Sequence, residues 1–295
     1  MYYYFLHHLN VSSEFNLFLD EATSKSSDSS DIKIVEDKKL IIPLTFKKNK
    51  FNILSNLNKT LVYQQDLFYA EISENGYLVR LKKLSTGINS LNIARRILNI
   101  VLPFCLYQKQ RLVFHASAIS IEKKGILFLG NSGAGKSTLA ASFQNEKFIS
   151  EDIVSMEIRN NEVHIIPSFP YIKLSSKAAL STGLRKNKSI YLKNDRLKRS
   201  YYNVNNFENE PIPLTKCLNL SWGDNFSCKV IEKSDILKYC LASNIGALPL
   251  PGCSESSRIF MKFFEIIAAK VDFFDVIRAK NSEVSKDTKI DLLVY

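Results

Sequence analysis

Residues 125–143 read Gly-Ile-Leu-Phe-Leu-Gly-Asn-Ser-Gly-Ala-Gly-Lys-Ser-Thr-Leu-Ala-Ala-Ser-Phe. The apolar run Gly125–Leu129 has the length and composition of a buried strand, and Lys136–Phe143 reads as a helix. Between them lies a glycine-rich turn, and strand, glycine loop, helix is how a nucleotide-binding α/β unit begins. Within this stretch Gly130, Asn131, Ser132, Gly133, Ala134, Gly135, Lys136, Ser137 and Thr138 match G-x-x-x-x-G-K-[ST] in full. The glycines let the backbone turn tightly enough for successive N–H groups to face phosphate oxygens, and the helix start adds its positive end. Lys136 neutralises β- and γ-phosphates, and the Ser137 hydroxyl is suited to ligate Mg²⁺. The expected ligands are therefore ATP and Mg²⁺.

Working outward, Phe148–Met156 reads as a strand and carries the adjacent carboxylates Glu151 and Asp152, the latter sixteen residues beyond Lys136. That interval accommodates one helix and a return to a neighbouring parallel strand. Adjacent strand residues point to opposite faces, so only one of the pair aims at a metal unless the strand has already ended. Asp152 is the candidate metal ligand beside Ser137, and Glu151 the candidate base. In the other direction, Leu112–Ile121 is β-rich and contains His115, one of four histidines. Beyond the acids, Val163–Ile166 reads as a strand, and Ile259–Val271 as an amphipathic helix opening near Arg258.

The first third has a different texture. Tyr2–Leu9, Ile32–Val35, Leu40–Phe46, Leu67–Ile72 and Tyr77–Leu81 read as short strands. Glu74-Asn75-Gly76 reads as a hairpin turn, and Ser24–Asp31 as a low-complexity loop with nothing apolar to bury. From Ser90 to Gln110 apolar residues recur every three or four positions, which predicts a linking helix. The expected organisation is a small mostly-β N-terminal domain over 1–88, a linking helix over 89–110 and a catalytic domain over 111–295.

Composition narrows the function classes. With 45% hydrophobic residues in 295, the chain buries a core without metals or disulfides, which excludes intrinsic disorder and miniprotein scaffolds. Five scattered cysteines without a C-x-x-C spacing argue against zinc and a disulfide framework and for a reducing, cytoplasmic setting. The apolar run Met1–Leu9 has no basic n-region and no small-residue cleavage site, and Ile97–Tyr107 is too short to span a bilayer and contains Pro103, so no membrane partner is expected. The net charge of +11 favours an acidic partner. Arg185, Lys186, Lys188, Lys193, Arg196, Lys198 and Arg199 concentrate that charge in one run, a solvated stretch or a clamp for an acidic peptide. Basic runs without interleaved aromatics argue against nucleic acid.

The succession HASAIS, GILFLGNSGAGKSTLAASF and ISEDIVSME resembles the catalytic half of HPr kinase/phosphorylase, a protein-serine kinase family with a Walker A loop. It is more similar still to the HPr-kinase-like proteins of ribosomal-peptide clusters, including those that phosphorylate lasso-peptide precursors. The resemblance covers 111–295, and extends more weakly to the opening YYYFLHHLNVSSEF; PSFPYIKLS resembles the family's strand after the acids. It implies an α/β (α+β) fold: an HPr-kinase-like P-loop kinase domain with a mixed sheet, preceded by the small β domain. It further implies ATP- and Mg²⁺-dependent transfer of the γ-phosphoryl group to a serine of a peptide or small protein, with a lasso-type precursor as the favoured acceptor. By the same resemblance His115 lies near the γ-phosphate and supports the base, and the acids are base followed by metal ligand. The family has Asp-Asp where this chain has Glu151-Asp152, which leaves the base between Glu151 and His115. Tyr171-Ile172-Lys173-Leu174 stands where the family carries a further metal-side acid, so Lys173 brings a positive charge there or is a plain strand lysine. HPr kinase forms oligomers, so a homo-oligomer is a further implication, although no residue marks an interface. A non-catalytic nucleotide-gated peptide-binding module and an HPr-type regulatory kinase are the alternative functions.

Overall fold

Most short apolar alternations bounded by polar breakers become strands, as the period-two pattern favours. The computed structural model describes residues 1–19, 29–48, 50–55, 59–184, 189–191, 199–245 and 254–279. Most of the loop expected at Ser24–Asp31, and the basic run apart from Arg199, lie outside the described residues. The chain divides into two units, Met1–Val113 with Ile245–Met261, and Phe114–Asn244 with Lys262–Tyr295.

The first unit is built on β1 (Tyr2–Leu6), β2 (Leu9–Ser13), β3 (Ile32–Glu36), β4 (Phe51–Ser55), β5 (Lys59–Gln64), β6 (Phe68–Ser73) and β7 (Leu78–Lys83). They form one sheet in the order β1-β2-β3-β7-β6-β5-β4, with β3 parallel to both β2 and β7 and the other pairs antiparallel. The expected strand Tyr2–Leu9 is instead a hairpin. It turns at His7 and His8, whose φ values of 52° and 55° suit a two-residue reverse turn. Leu40–Phe46 is not a strand either: Pro43 offers no N–H, and its carbonyl accepts from Phe46 N at 3.0 Å to start a 3₁₀ turn over Leu44–Lys48. Leu40 and Phe46 are still buried, against Leu61, Tyr63 and Tyr69.

The turn at Glu74–Gly76 joins antiparallel β6 and β7 as expected. Gly76 has φ 63°, and a Cβ there would fall on the Cys105 carbonyl. The linking helix is interrupted: α1 (Ser90–Arg96) and α2 (Leu102–Gln108) flank a π-helical segment at Ile97–Val101. Asn89 caps α1 by accepting from Leu91 N at 2.8 Å. Pro103, in the first turn of α2, withholds the next donor, and Leu102 N–H bonds five residues back to Ile97.

After β8 (Leu112–Phe114), the second unit contributes β9 (Ser117–Ile121), β10 (Lys124–Leu129), α3 (Lys136–Ser142), β11 (Lys147–Glu151), β12 (Val154–Arg159), β13 (Glu162–Ile166), β14 (Tyr171–Ser175) and α4 (Ser176–Ser181). There follow in the chain β15 (Ser189–Tyr191), β16 (Arg199–Asn203), β17 (Ile212–Gly223), β18 (Ser227–Val230), α5 (Lys233–Ser243), α6 (Ser254–Lys270), whose residues up to Met261 belong to the first unit, and β19 (Asp272–Ala279). The main sheet runs β11-β9-β10-β17-β13-β12, and β19 joins β17 with β18 beyond it. It is mixed: β10 is parallel to β17 and β17 to β19, whereas β9 is antiparallel to β10 and β11. A smaller antiparallel sheet, β14-β16-β15, completes this mixed α/β unit. Leu139 and Phe143 from the loop helix and its end bury against Phe128, Leu218 and Val276, with the Phe128 and Phe143 rings stacked at 6.1 Å. That packing fixes the helix against the strands that carry the loop.

Candidate active site

Two breaks in predicted strands create the site. The β-rich run Leu112–Ile121 is interrupted at His115 and Ala116, which frees His115 from strand pairing. The run Phe148–Met156 breaks after Glu151, where Asp152 adopts φ 68°, a left-handed conformation that aspartate tolerates better than most residues. Strict alternation therefore lapses at the acids. Glu151 closes β11 and Asp152 turns away from it, and both carboxylates line one cleft of about 430 Å³.

The phosphate loop lines the same cleft. His115, Ser132, Gly133, Gly135, Lys136, Ser137 and Thr138 reach this cleft together with the acids. Gly130, Asn131 and Ala134 shape the loop through their backbone. Lys136 Nζ donates to the Gly130 carbonyl at 2.7 Å and to that of Asn131 at 3.3 Å, so the buried ammonium is held inside the loop's curve. Burial lowers its pKa, against the opposing pull of Asp152 and Glu151. Gly130, at φ 126°, leaves no room for a Cβ against the Leu220 carbonyl.

Direct contacts among the candidates link them in a particular order. Ser137 Oγ donates to Glu151 Oε1 at 2.7 Å, and Lys173 N–H meets Glu151 Oε2 at 3.4 Å. The sequence reading set Ser137 beside Asp152 and His115 beside Glu151; the direct contacts join Ser137 to Glu151 and His115 to Asp152. His115 Nδ1 lies 3.3 Å from Asp152 Oδ1 and 3.1 Å from its backbone carbonyl. Lys173 Nζ forms an ion pair with Asp152 Oδ2. Lys173 is thus no plain strand lysine: it is buried on β14, and its charge is spent inside the cleft.

No protein-family model matches this sequence, and no curated protein matches it. Among solved structures, the chain is similar to the HPr(Ser) kinase/phosphatase from Coxiella burnetii. The identity is 12% and the TM-score 0.28, over 62% of this chain and 90% of that one.

The electrostatics separate the two acids. Burial, and then the Asp152 charge, push the Glu151 carboxyl up to about 7, against Lys173 and the Ser137 hydrogen bond. Burial also works against an Asp152 carboxylate, but Lys173 and then His115 outweigh it and hold this acid well below the usual range. For Lys173, burial is likewise outweighed by Asp152 and Glu151, so its ammonium persists above the ordinary lysine range. Near neutral pH the pair therefore comprises one firmly ionised carboxylate and one that exchanges its proton.

A stability prediction follows from Glu151. A buried acid whose folded pKa is raised favours the folded state most below its unfolded pKa, and that advantage is lost as pH rises toward the folded value. Urea unfolding of the protein without nucleotide or divalent cation should show a Glu151 contribution to stability that declines from about pH 4.5 to about pH 7, the interval between its two values, set against the opposite contribution of the buried His7, whose pKa is lowered to about 3. Glu151→Gln should flatten that decline. An unchanged profile in the variant would contradict the assignment.

Sequence reasoning missed two residues that brace the loop. Arg278, buried on β19, donates to the Ala134 carbonyl, and Trp222, at the end of β17, donates from Nε1 to the Gly133 carbonyl at 2.9 Å. Burial pushes the Arg278 guanidinium down to about 10, so it remains charged at neutral pH. Gly135 has φ 80°, and a Cβ there would sit 2.6 Å from Arg278 Nη2. Arg199, the described member of the basic run, also lines the cleft.

The site's donor set suits a hard divalent cation. Ser137, Glu151 and Asp152 offer only oxygen, and no group of three or more His, Cys, Asp or Glu residues able to hold a metal occurs among the described residues. Mg²⁺ fits that pattern, since it is commonly held by one or two carboxylates while phosphates and water complete its shell. None of the described helices is long and apolar enough to cross a membrane.

Proposed function

We propose that this protein is an ATP-dependent kinase that phosphorylates a serine hydroxyl of a peptide or small protein. The supporting observation is the convergence of a complete phosphate loop, two differently tuned carboxylates and a histidine on one cleft. The favoured acceptor, by the sequence resemblance, is a ribosomally made precursor peptide of the lasso type.

In this reading the loop amides and Lys136 hold the triphosphate and offset charge that develops on the γ-phosphoryl oxygens. Ser137 and Asp152 would hold Mg²⁺, which supplies further charge neutralisation when bound. Glu151, with its carboxyl pushed up to about 7, accepts the proton of the acceptor serine. The serine oxygen forms a bond to the γ-phosphorus as the bond from that phosphorus to the β,γ-bridging oxygen breaks, and ADP leaves. His115 and Lys173 are positioning residues: both grip Asp152 and keep it ionised and oriented. Arg199, which lines the same cleft, adds positive charge there.

A second reading, a nucleotide-gated peptide-binding module without chemistry, draws on the Lys173–Asp152 ion pair, because a carboxylate already neutralised is a weaker metal ligand. The Asp152→Asn variant separates the two. If the protein is a kinase, transfer to serine peptides, followed by mass spectrometry, should fall by about 10²-fold or more while ATP is still bound. Wild-type activity in the variant would overturn the assigned role of Asp152, and tight ATP binding without transfer by the unmodified protein would select the binding module.

A further inference from the structure

Trp222 is the only tryptophan in the chain and is 41% exposed. Its place in the sheet is informative. β17 neighbours β10 on the side away from β9 and β11, and β10 ends at Leu129, opposite Asn219. The last residues of β17 therefore run on beside the phosphate loop, on the flank opposite the acids.

The ring is also fixed in orientation. Its Nε1 is tied to the Gly133 carbonyl, and the guanidinium of Arg278, its register partner on β19, lies 4.2 Å from the ring centroid. Arg278 is itself anchored to the Ala134 carbonyl. A large apolar ring left partly in water, yet held by a hydrogen bond and a cation–π contact, is preorganised to receive a planar partner at little entropic cost.

We propose that Trp222 is the stacking platform for the base of the bound nucleotide, with Arg278 holding the platform and the loop together. This rests on the nucleotide-binding reading above. A triphosphate laid along the loop with its γ-phosphate toward Glu151 and Asp152 directs its nucleoside end away from those acids, toward the flank that Trp222 occupies. Stacking recognises a π-face rather than a hydrogen-bond pattern, so purines should bind more tightly than pyrimidines, with modest discrimination between adenine and guanine.

The test compares ATP with inorganic triphosphate, which lacks a base, on the full chain. Titrating ATP should quench the fluorescence of the single tryptophan, and inorganic triphosphate should not. By calorimetry, Trp222→Ala should weaken ATP binding about 10- to 100-fold more than it weakens inorganic triphosphate, whereas Trp222→Phe, which gives up the same Gly133 hydrogen bond, should keep most of the preference for ATP over triphosphate. Equal weakening of both ligands would make Trp222 only a brace for the loop and overturn the proposal, as would unchanged ATP affinity in the alanine variant. Wild-type protein that binds triphosphate as tightly as ATP would remove the base platform but leave the phosphate loop standing. Binding of neither ligand would remove the nucleotide reading itself.

Discussion

Lys136→Met is expected to reduce phosphoryl transfer by about 10³-fold or more, with the fold intact. The size of the effect follows from where the charge sits. Lys136 is buried in the loop's curve, held by the Gly130 and Asn131 carbonyls at 2.7 and 3.3 Å, and no other ammonium is bound in that curve among the described residues. A low-dielectric site makes a fixed positive charge worth more to developing phosphoryl oxygens than the same charge in water. Methionine keeps most of the volume and loses the charge, so circular dichroism and the thermal transition should change little. Single-turnover transfer from ATP measures the loss. A reduction below tenfold would mean that the loop does not cradle the reacting phosphates.

Lys173→Met carries the largest expected cost in stability, about 3–5 kcal/mol, because it leaves the buried Glu151 carboxyl and the half-buried Asp152 carboxylate without their shared cation. The ammonium is nearly inaccessible, at 6% side-chain exposure, and is ion-paired with Asp152 while its backbone N–H faces Glu151. Without it the Asp152 pKa should rise, because the first of the interactions that offset its burial is gone. Adding Asp152→Asn should restore much of the lost stability by removing the uncompensated charge, and a double-mutant cycle by urea unfolding reads that coupling. Additive effects would mean that the two side chains do not interact. If the single variant fails to fold, recovery of folded protein in the double variant supports the same claim.

How much of this was legible in the sequence depended on whether the signal was local. The strand Gly125–Leu129, the loop and the helix start at Lys136 were legible because apolar run, glycine turn and helical period follow one another without interruption. The turn at Glu74–Gly76 was equally local. Leu40–Phe46 misled because Leu40, Ile42, Leu44 and Phe46 alternate as strand residues do, while Pro43 tips the backbone into a 3₁₀ turn. The break at Asp152 was foreseen as a condition but not located: only the φ of 68° shows that the strand ends there and that both acids share a cleft.

Arg278 lay beyond local reading altogether. It reaches a loop residue 144 positions away, brought there by parallel pairing of β17 and β19. Spacing along the chain carries no trace of such a contact. Lys173 offered a fainter signal, a lysine between Ile172 and Leu174 on a strand, where a cation survives burial only beside a carboxylate.

The most direct test of the central claim follows γ-labelled phosphate from Mg-ATP into serine-containing peptides, including peptides ending in serine, beside the same peptides with alanine at the acceptor position. The account predicts label on the serine peptides, none on the alanine peptides, and none with the Lys136→Met protein. Label that never leaves ATP, or reaches only water, while the wild-type protein demonstrably binds the nucleotide and an acidic precursor peptide, would contradict it.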